Sequence, residues 1–208
     1  MILATYKTDD GADAIGVVDG DVIFDLAGGA ARAGEEAAPF ASMISLMEAG
    51  EAGLDRARTL FQRFAEDDDL NKRLGEVSLR SPVPVPAQIR DFMVFPGHIL
   101  NASAGMRTLA ARIQSTPALP ADAKPGSKVP EIYRQQPIYY KANRFSVIGT
   151  DQDVQWPAYS EIMDYELEFG VFIGRGGQDI PLERTHEHIF GYAIFNDFSA
   201  RDTQMAEM

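Results

Sequence analysis

The stretch MDYELEFGVFIG, from Met163 to Gly174, alternates acidic and bulky apolar side chains and then becomes apolar throughout. Residues i and i+2 of a β-strand point to the same face, so a strand here would place Glu166 and Glu168 about 6.5–7 Å apart along its length. Two carboxylates this close repel each other, and partial burial would add to the cost. A hard divalent cation would reverse that repulsion, because Mg²⁺, Mn²⁺ and Ca²⁺ prefer oxygen ligands.

The same pattern is also explained by a half-exposed strand whose acidic face meets solvent, because exposed acidic residues are common. Asp164 needs no explanation beyond this one. Zinc suits the stretch less well than a hard cation, because zinc sites favour histidine and cysteine. The chain has three histidines and no cysteine.

A second polar cluster, NDFSARDTQ, follows the apolar run FGYAIF. Its polar residues include Asn196, Asp197, Ser199, Arg201, Asp202 and Gln204. This density is unusual for a core strand and typical of a strand that ends in a functional site. The alternative is the start of a helix capped by Asp197 or Ser199, and the two interpretations are compatible.

A third stretch, RDFMVFPGHILNASAGMR, carries His98 just after the turn signal Pro96–Gly97. A lone histidine is more often structural than catalytic. Asp91 and Arg107 flank His98 at separations that would let all three return to one pocket, although spacing alone leaves this open.

Composition excludes several classes of function. The chain of 208 residues has a formal net charge of −12 and a pI near 4.6, so it would repel nucleic acids and anionic membranes. The absence of cysteine excludes disulfides and thiolate chemistry, and it fits a cytoplasmic protein. The sequence shows no signal peptide and no apolar stretch long enough to span a membrane.

The order of sequence patterns predicts two domains. MILATYKTDD and AIGVVDGDVIFDL predict strands separated by turns at GAD and DGD, and the apolar spacing of the segment from Phe40 predicts two helices broken near Gly50 and Gly53. We assign residues 1–80 to a small N-terminal α+β domain, the proline-rich stretch 81–88 to a linker and residues 89–208 to a second domain. Residues 116–137 predict a flexible flap, and IRDFMVF predicts a strand.

Four stretches together resemble the fumarylacetoacetate hydrolase family, in the fumarylacetoacetase-like branch. They are DFMVFPGHILNASAGMR, YYKANRFSVIG, DYELEFGVFIG and FGYAIFNDFSARDTQ, and they occur in the order that the family has them. NDFSARDTQ is the most specific of the four. The resemblance implies an α+β fold, in which a small N-terminal α+β domain precedes a mixed β-roll catalytic domain that continues in the family beyond the residues present here. It also implies a homodimer.

The resemblance also implies roles for individual residues. Its metal ligands fall on Asp91, Glu166, Glu168 and Asp197, which would hold Mg²⁺, or alternatively Ca²⁺ or Mn²⁺. His98 matches the general base of the branch. The implied substrate-binding residues are Arg107, Arg201, Gln204 and, as a weaker match, Lys141.

The implied activity is a metal-dependent hydrolysis of a carbon–carbon bond in a 2,4-dioxo acid such as an acylpyruvate or a fumarylacetoacetate-like compound. This is a β-diketone cleavage of the kind used in aromatic catabolism. Met93 and Met208 stand where the branch has tyrosines, which argues against fumarylacetoacetate itself, since methionine donates no hydroxyl. Asn101 stands where the small acylpyruvase and oxaloacetate decarboxylase relatives have a glutamate, three residues after the histidine, which favours the fumarylacetoacetase-like hydrolase branch. A decarboxylase, a hydratase or isomerase, and a catalytically silent metal-binding protein are the alternatives.

Overall fold

The computed structural model describes residues 1–117 and 128–207, so residues 118–127 of the flap predicted over residues 116–137 lie outside the described residues. The chain forms two compact units. The first comprises Met1–Pro86, Phe145–Asp153 and Glu168–Phe195, and the second comprises Ala87–Arg144, Val154–Leu167 and Asn196–Met208. In the described ranges, no helix combines the length and the apolar character needed to cross a membrane. The assignment of domains with a linker at 81–88 stays a prediction.

The first unit is built on a five-stranded antiparallel sheet in the order β4-β3-β2-β1-β5. The strands are β1 (Ile2–Lys7), β2 (Asp13–Asp19), β3 (Val22–Asp25), β4 (Asn71–Arg73) and β5 (Ser78–Leu79). Tight turns join β1 to β2 and β2 to β3, and each contains a glycine with positive φ, Gly11 or Gly20. The two turns predicted at GAD and DGD are therefore confirmed.

Helix α1 (Leu26–Ala33) was not predicted, because its sequence LAGGAARA has two adjacent glycines that disfavour a helix. Asp25 caps the helix by accepting a hydrogen bond from the N–H of Ala27 at 3.0 Å. A Cβ on Gly29 would lie 2.7 Å from the ring of Phe24. Close packing against β3 therefore explains the glycine, and tertiary contacts outweigh the low helix propensity.

Helix α2 (Met43–Phe64) contains the predicted interruption. Gly50 has φ 60° and ψ −148°, whereas Gly53 stays within the helix and is buried. The prediction of two helical segments is thus confirmed, with the break at the first glycine. Both helices pack on the sheet and form one core. Its buried side chains include Ile15, Val17, Phe24, Leu26, Phe40, Met43, Leu46, Leu60 and Leu70.

The second unit begins with a short antiparallel pair, β6 (Asp91–Phe92) and β7 (Tyr139–Tyr140), in which Asp91 lies opposite Tyr140. The strand predicted from IRDFMVF is therefore shorter than expected, because helix α3 (Pro96–Ile113) begins only four residues after Phe92. Helix α4 (Ile132–Gln135) is a single turn between α3 and β7.

Two long strands, β8 (Met163–Ile173) and β9 (Ile189–Ala200), pair with each other and run through both units. Helix α5 (Arg201–Glu207) follows β9 directly. Asp197 and Ser199 lie on β9 and do not cap this helix, which corrects the helix-start interpretation of NDFSARDTQ. The physical reason is continued strand pairing, since the N–H of Arg201 still donates to the carbonyl of Ile162 at 2.8 Å.

Alternation along β8 is opposite to the usual pattern of a surface strand. Glu166 and Glu168 are partly buried, whereas Leu167 and Phe169 are 75% and 62% exposed. The outer face continues on β9 with Tyr192, whose ring stacks on that of Phe169 with centroids 5.0 Å apart. The acidic face of the strand is therefore its sheltered face, which excludes the interpretation of these two glutamates as a solvated surface.

Candidate metal centre

Four partly buried carboxylates form one group. Each of Asp91, Glu166, Glu168 and Asp197 offers an oxygen that lies within 4.8 Å of the oxygens offered by the others. Glu166 and Glu168 share a face of the continuous strand β8, as the alternation in the sequence predicts. Asp197 is on the paired strand β9 and Asp91 on β6. The structure thus brings together all four residues expected to bind a metal.

The electrostatics of the group are unfavourable without a cation. Burial raises the pKa of Asp91, and the neighbouring Glu166 raises it further, whereas His98 lowers it. Burial also raises the pKa of Asp197, with additional upward contributions from Glu166 and Asp91 and a downward one from Arg201. Both shifts indicate carboxylates that are partly buried next to other carboxylates, with too little positive charge nearby to offset the repulsion.

This donor set fits a hard divalent cation. All four offered atoms are carboxylate oxygens, which are the ligands that Mg²⁺, Mn²⁺ and Ca²⁺ prefer. Zinc prefers nitrogen and sulfur, and the group contains neither histidine nor cysteine. The residues that would hold the ion are therefore the four carboxylates themselves.

Arg201 forms an ion pair with one member of this group, Glu166, and so supplies positive charge to it. Its Nη1 atom donates to Glu166 Oε1 at 2.5 Å and to Gln204 Oε1 at 3.0 Å. Its Nε atom donates to Asp164 Oδ2 at 3.0 Å, and Nη2 lies 3.0 Å from the same oxygen. Only 15% of the Arg201 side chain is exposed, so these ion pairs are partly shielded from solvent.

Comparison with known proteins identifies the fold that carries this group. A model of the C-terminal domain of fumarylacetoacetate (FAA) hydrolases matches residues 104–208, which are half of the chain. The chain belongs to the fumarylacetoacetate hydrolase family. The maleylpyruvate hydrolase of Sphingobium sp. SYK-6, solved with manganese(II) and pyruvate, shares its fold with a TM-score of 0.59 at 22% identity, over 97% of this chain and 60% of that one. The predicted fold is confirmed.

Two further relatives show the breadth of the family. Bovine fumarylacetoacetase is 28% identical over 93% of this chain and 51% of its own length. The oxaloacetate tautomerase YisK of Bacillus subtilis is 26% identical over 90% of this chain and 56% of its own length. The family is enzymatic and includes hydrolases and tautomerases. The chain spans about half the length of the curated relatives that it matches.

The remaining residues expected from the family resemblance fall in two groups. His98 lies in the first turn of α3, and its charge lowers the pKa of Asp91. Gln204 reaches the centre through its bond to Arg201. Arg107 and Lys141 are exposed, and within residues 1–117 and 128–207 neither forms an ion pair with a carboxylate. The structure does not place these two with the carboxylate group.

Two acidic residues beside the centre have contacts that sequence reasoning missed. Asp164, interpreted as a solvated acid, binds Arg201. A hydrogen bond from the N–H of Tyr165, followed by the one from Arg201, holds the pKa of Asp164 low. Asp202 accepts hydrogen bonds from the Ser160 hydroxyl at 2.6 Å and the Glu161 N–H at 2.7 Å. Both contacts join residues far apart in sequence. No local pattern in the sequence indicates either contact.

Proposed function

We propose that this family member is a metal-dependent hydrolase that cleaves a carbon–carbon bond in a 2,4-dioxo acid of the acylpyruvate type. The observation that supports it is the group of four sheltered carboxylates, Asp91, Glu166, Glu168 and Asp197. Mg²⁺ or Mn²⁺ would be held by these side chains. The Sphingobium maleylpyruvate hydrolase, which was solved in complex with manganese(II) and pyruvate, supports the same pairing of a divalent ion with a 2-oxo acid.

A bound divalent cation supplies Lewis-acid polarisation of a substrate carbonyl and stabilises the negative charge that develops during cleavage. His98 then acts as the general base and takes a proton from water as the water oxygen adds to the acyl carbonyl carbon. The bond between that carbon and the methylene carbon breaks, and its electron pair remains on the pyruvate portion. A proton on the methylene carbon completes pyruvate, and the acyl portion leaves as a carboxylic acid.

The side chains around the centre differ in the charge that they can offer to the base and to the substrate carboxylate. The positive charge of His98 lowers the pKa of Asp91, so the two groups interact electrostatically. Most of the donors of Arg201 are engaged by Asp164, Glu166 and Gln204, which leaves this arginine little capacity to hold a substrate carboxylate. Arg107 and Lys141 stay candidates for that task from the family resemblance alone, since the structure does not place them with the carboxylate group.

A second candidate is the interconversion of keto and enol forms of oxaloacetate, and the Bacillus subtilis tautomerase supports it. The same carboxylates would hold the cation, and His98 would move a proton between carbon and solvent without water attack on a carbonyl. The two candidates differ in products, since only the hydrolase releases pyruvate and a second acid.

The decisive experiment follows the ultraviolet absorbance of an acylpyruvate panel and of oxaloacetate with Mn²⁺, with Mg²⁺ and with chelator. We expect metal-dependent loss of acylpyruvate absorbance with pyruvate release. Glu168→Ala should abolish both turnover and Mn²⁺ binding, whereas Glu161→Ala, an exposed acid three residues before Asp164, should change neither. Enol loss without pyruvate would favour the tautomerase. Mn²⁺ binding without any turnover would favour a silent metal-binding protein, and unchanged activity of Glu168→Ala would refute the metal centre.

A further inference from the structure

Arg201 is fixed at both its backbone and its side chain. Its N–H donates to the carbonyl of Ile162 at 2.8 Å, which fixes the start of α5 to the start of β8. Its guanidinium then bridges two acids of β8, Asp164 through Nε and Nη2 and Glu166 through Nη1. Asp164 is outside the group of four carboxylates, whereas Glu166 is inside it. The arginine therefore links one acid of the proposed metal centre to one acid beside it.

Asp164 is itself held in place on both oxygens. Its Oδ1 accepts the N–H of Tyr165 at 2.8 Å, and its Oδ2 faces Nε and Nη2 of Arg201. A carboxylate fixed in this way is prepared to receive one edge of a guanidinium. With that edge bound to Asp164, only Nη1 of Arg201 is directed at Glu166.

We infer that Asp164 is a positioning residue that restrains Arg201 and so limits its competition with a divalent cation for the carboxylates. The inference rests on the proposed metal centre. A guanidinium and a divalent cation both neutralise Glu166, so they compete for it. Without Asp164, the Nε and Nη2 edge loses its partner, and the nearest negative charges are those of the centre. Arg201 would then turn further toward the carboxylates and weaken cation binding.

The opposite explanation is that Asp164 attracts the cation by its own charge. The two explanations predict opposite dependence on Arg201. If Asp164 acts through Arg201, removing the arginine removes the effect of Asp164. If Asp164 acts by its own charge, removing the arginine that neutralises it should make that effect larger.

The test measures Mn²⁺ affinity through the free-ion signal in electron paramagnetic resonance, using the full chain and five variants. We expect Asp164→Asn to bind Mn²⁺ about tenfold more weakly and Arg201→Gln about tenfold more tightly than the unaltered protein, the scale of one ion-pair contact. The double variant should match Arg201→Gln within about twofold. Glu161→Gln makes the same charge change as Asp164→Asn at an exposed position, and it should leave the affinity within about twofold.

The inference is overturned if Asp164→Asn weakens binding as much in the Arg201→Gln background as in the unaltered protein, or if it has no effect in either. Circular dichroism and thermal denaturation of every variant identify a change of fold, and Arg201→Lys provides a second, independent comparison. Lysine keeps the charge but lacks the planar edge that Nε and Nη2 present to Asp164, so its charge is not restrained there and it should weaken Mn²⁺ binding as Asp164→Asn does. Tighter binding by Arg201→Lys would contradict the inference. Absence of Mn²⁺ binding by the unaltered chain would overturn the metal centre and the inference with it.

Discussion

Replacing Asp197 by asparagine should stabilise the metal-free protein and destabilise the metal-loaded one relative to the unaltered chain. Asp197 is a partly buried member of the carboxylate group, with Asp91 and Glu166 as negative neighbours and Arg201 as a positive one. Its raised pKa means that the folded protein disfavours its charge. Asparagine has nearly the same shape, so the substitution removes the charge and leaves no cavity.

The magnitude follows from the distances. Two unit charges 4.8 Å apart repel by about 0.9 kcal/mol in water and by about 3.5 kcal/mol at an effective dielectric constant of 20. Asp197 is only partly buried, so each neighbour contributes nearer the lower figure, and Arg201 offsets part of the sum. We expect Asp197→Asn to raise the free energy of unfolding by about 1–2 kcal/mol in the presence of a chelator.

Cation binding should reverse this order. Mn²⁺ at one hundred times its dissociation constant stabilises a folded protein by about 2.7 kcal/mol. The variant lacks one ligand and should gain much less. Urea denaturation with EDTA and with Mn²⁺ measures both differences, and Glu161→Gln, which removes an exposed charge, should be neutral in both conditions. Destabilisation of Asp197→Asn in EDTA by more than about 1 kcal/mol, or an equal gain from Mn²⁺, would refute the argument.

Three further outcomes follow from particular contacts. Gly50→Ala should lower the free energy of unfolding by about 1–3 kcal/mol in urea denaturation, because Gly50 has φ 60° and ψ −148°, which alanine adopts only with strain. Gly75→Ala is the control, since Gly75 also has open space around it but no positive φ, and it should lower the free energy of unfolding much less. Asp202→Asn should lower the thermal midpoint at neutral pH. Hydrogen bonds from Ser160 and the Glu161 N–H lower the pKa of Asp202, so its stabilisation is present above the normal pKa of about 3.9 and is lost as pH falls through the lowered value. Thermal scans that show the same deficit at every pH would contradict this. His98→Gln should reduce turnover by about 10²–10⁴-fold while Mn²⁺ affinity stays close to that of the unaltered protein, and a matching loss of Mn²⁺ affinity would instead make His98 a ligand.

Local sequence patterns predicted the hairpins around Gly11 and Gly20 and the break at Gly50, because each is set by backbone conformations that glycine adopts at low cost. Local patterns did not predict helix α1, since this helix depends on the close packing of Gly29 against Phe24 and not on helix propensity. The carboxylate face of β8 follows from strand periodicity alone. That Asp91 and Asp197 join it came only from the family resemblance, because separations in sequence carry no information about which strands meet.

The contacts of Asp164 and Asp202 mark a different limit of prediction. Asp164 meets Arg201 across 37 residues, and Asp202 meets Ser160 across 42. No periodicity connects residues so far apart, and an exposed acid in a strand has a sufficient explanation in solvent. These contacts exist because β9 returns beside β8 and places the start of α5 against the start of β8.

The arrangement of charge along β8 is informative because it opposes the ordinary preferences of a strand. Glu166 and Glu168 lie on the sheltered face while Leu167 and Phe169 face outward. Burial of like charges costs free energy, so the sheltered face of β8 is an unfavourable place for two glutamates that lack a counter-charge. A divalent cation would offset this cost, because both carboxylates would then attract the same ion. Arg201 already supplies positive charge to one of the two, through its hydrogen bond to Glu166.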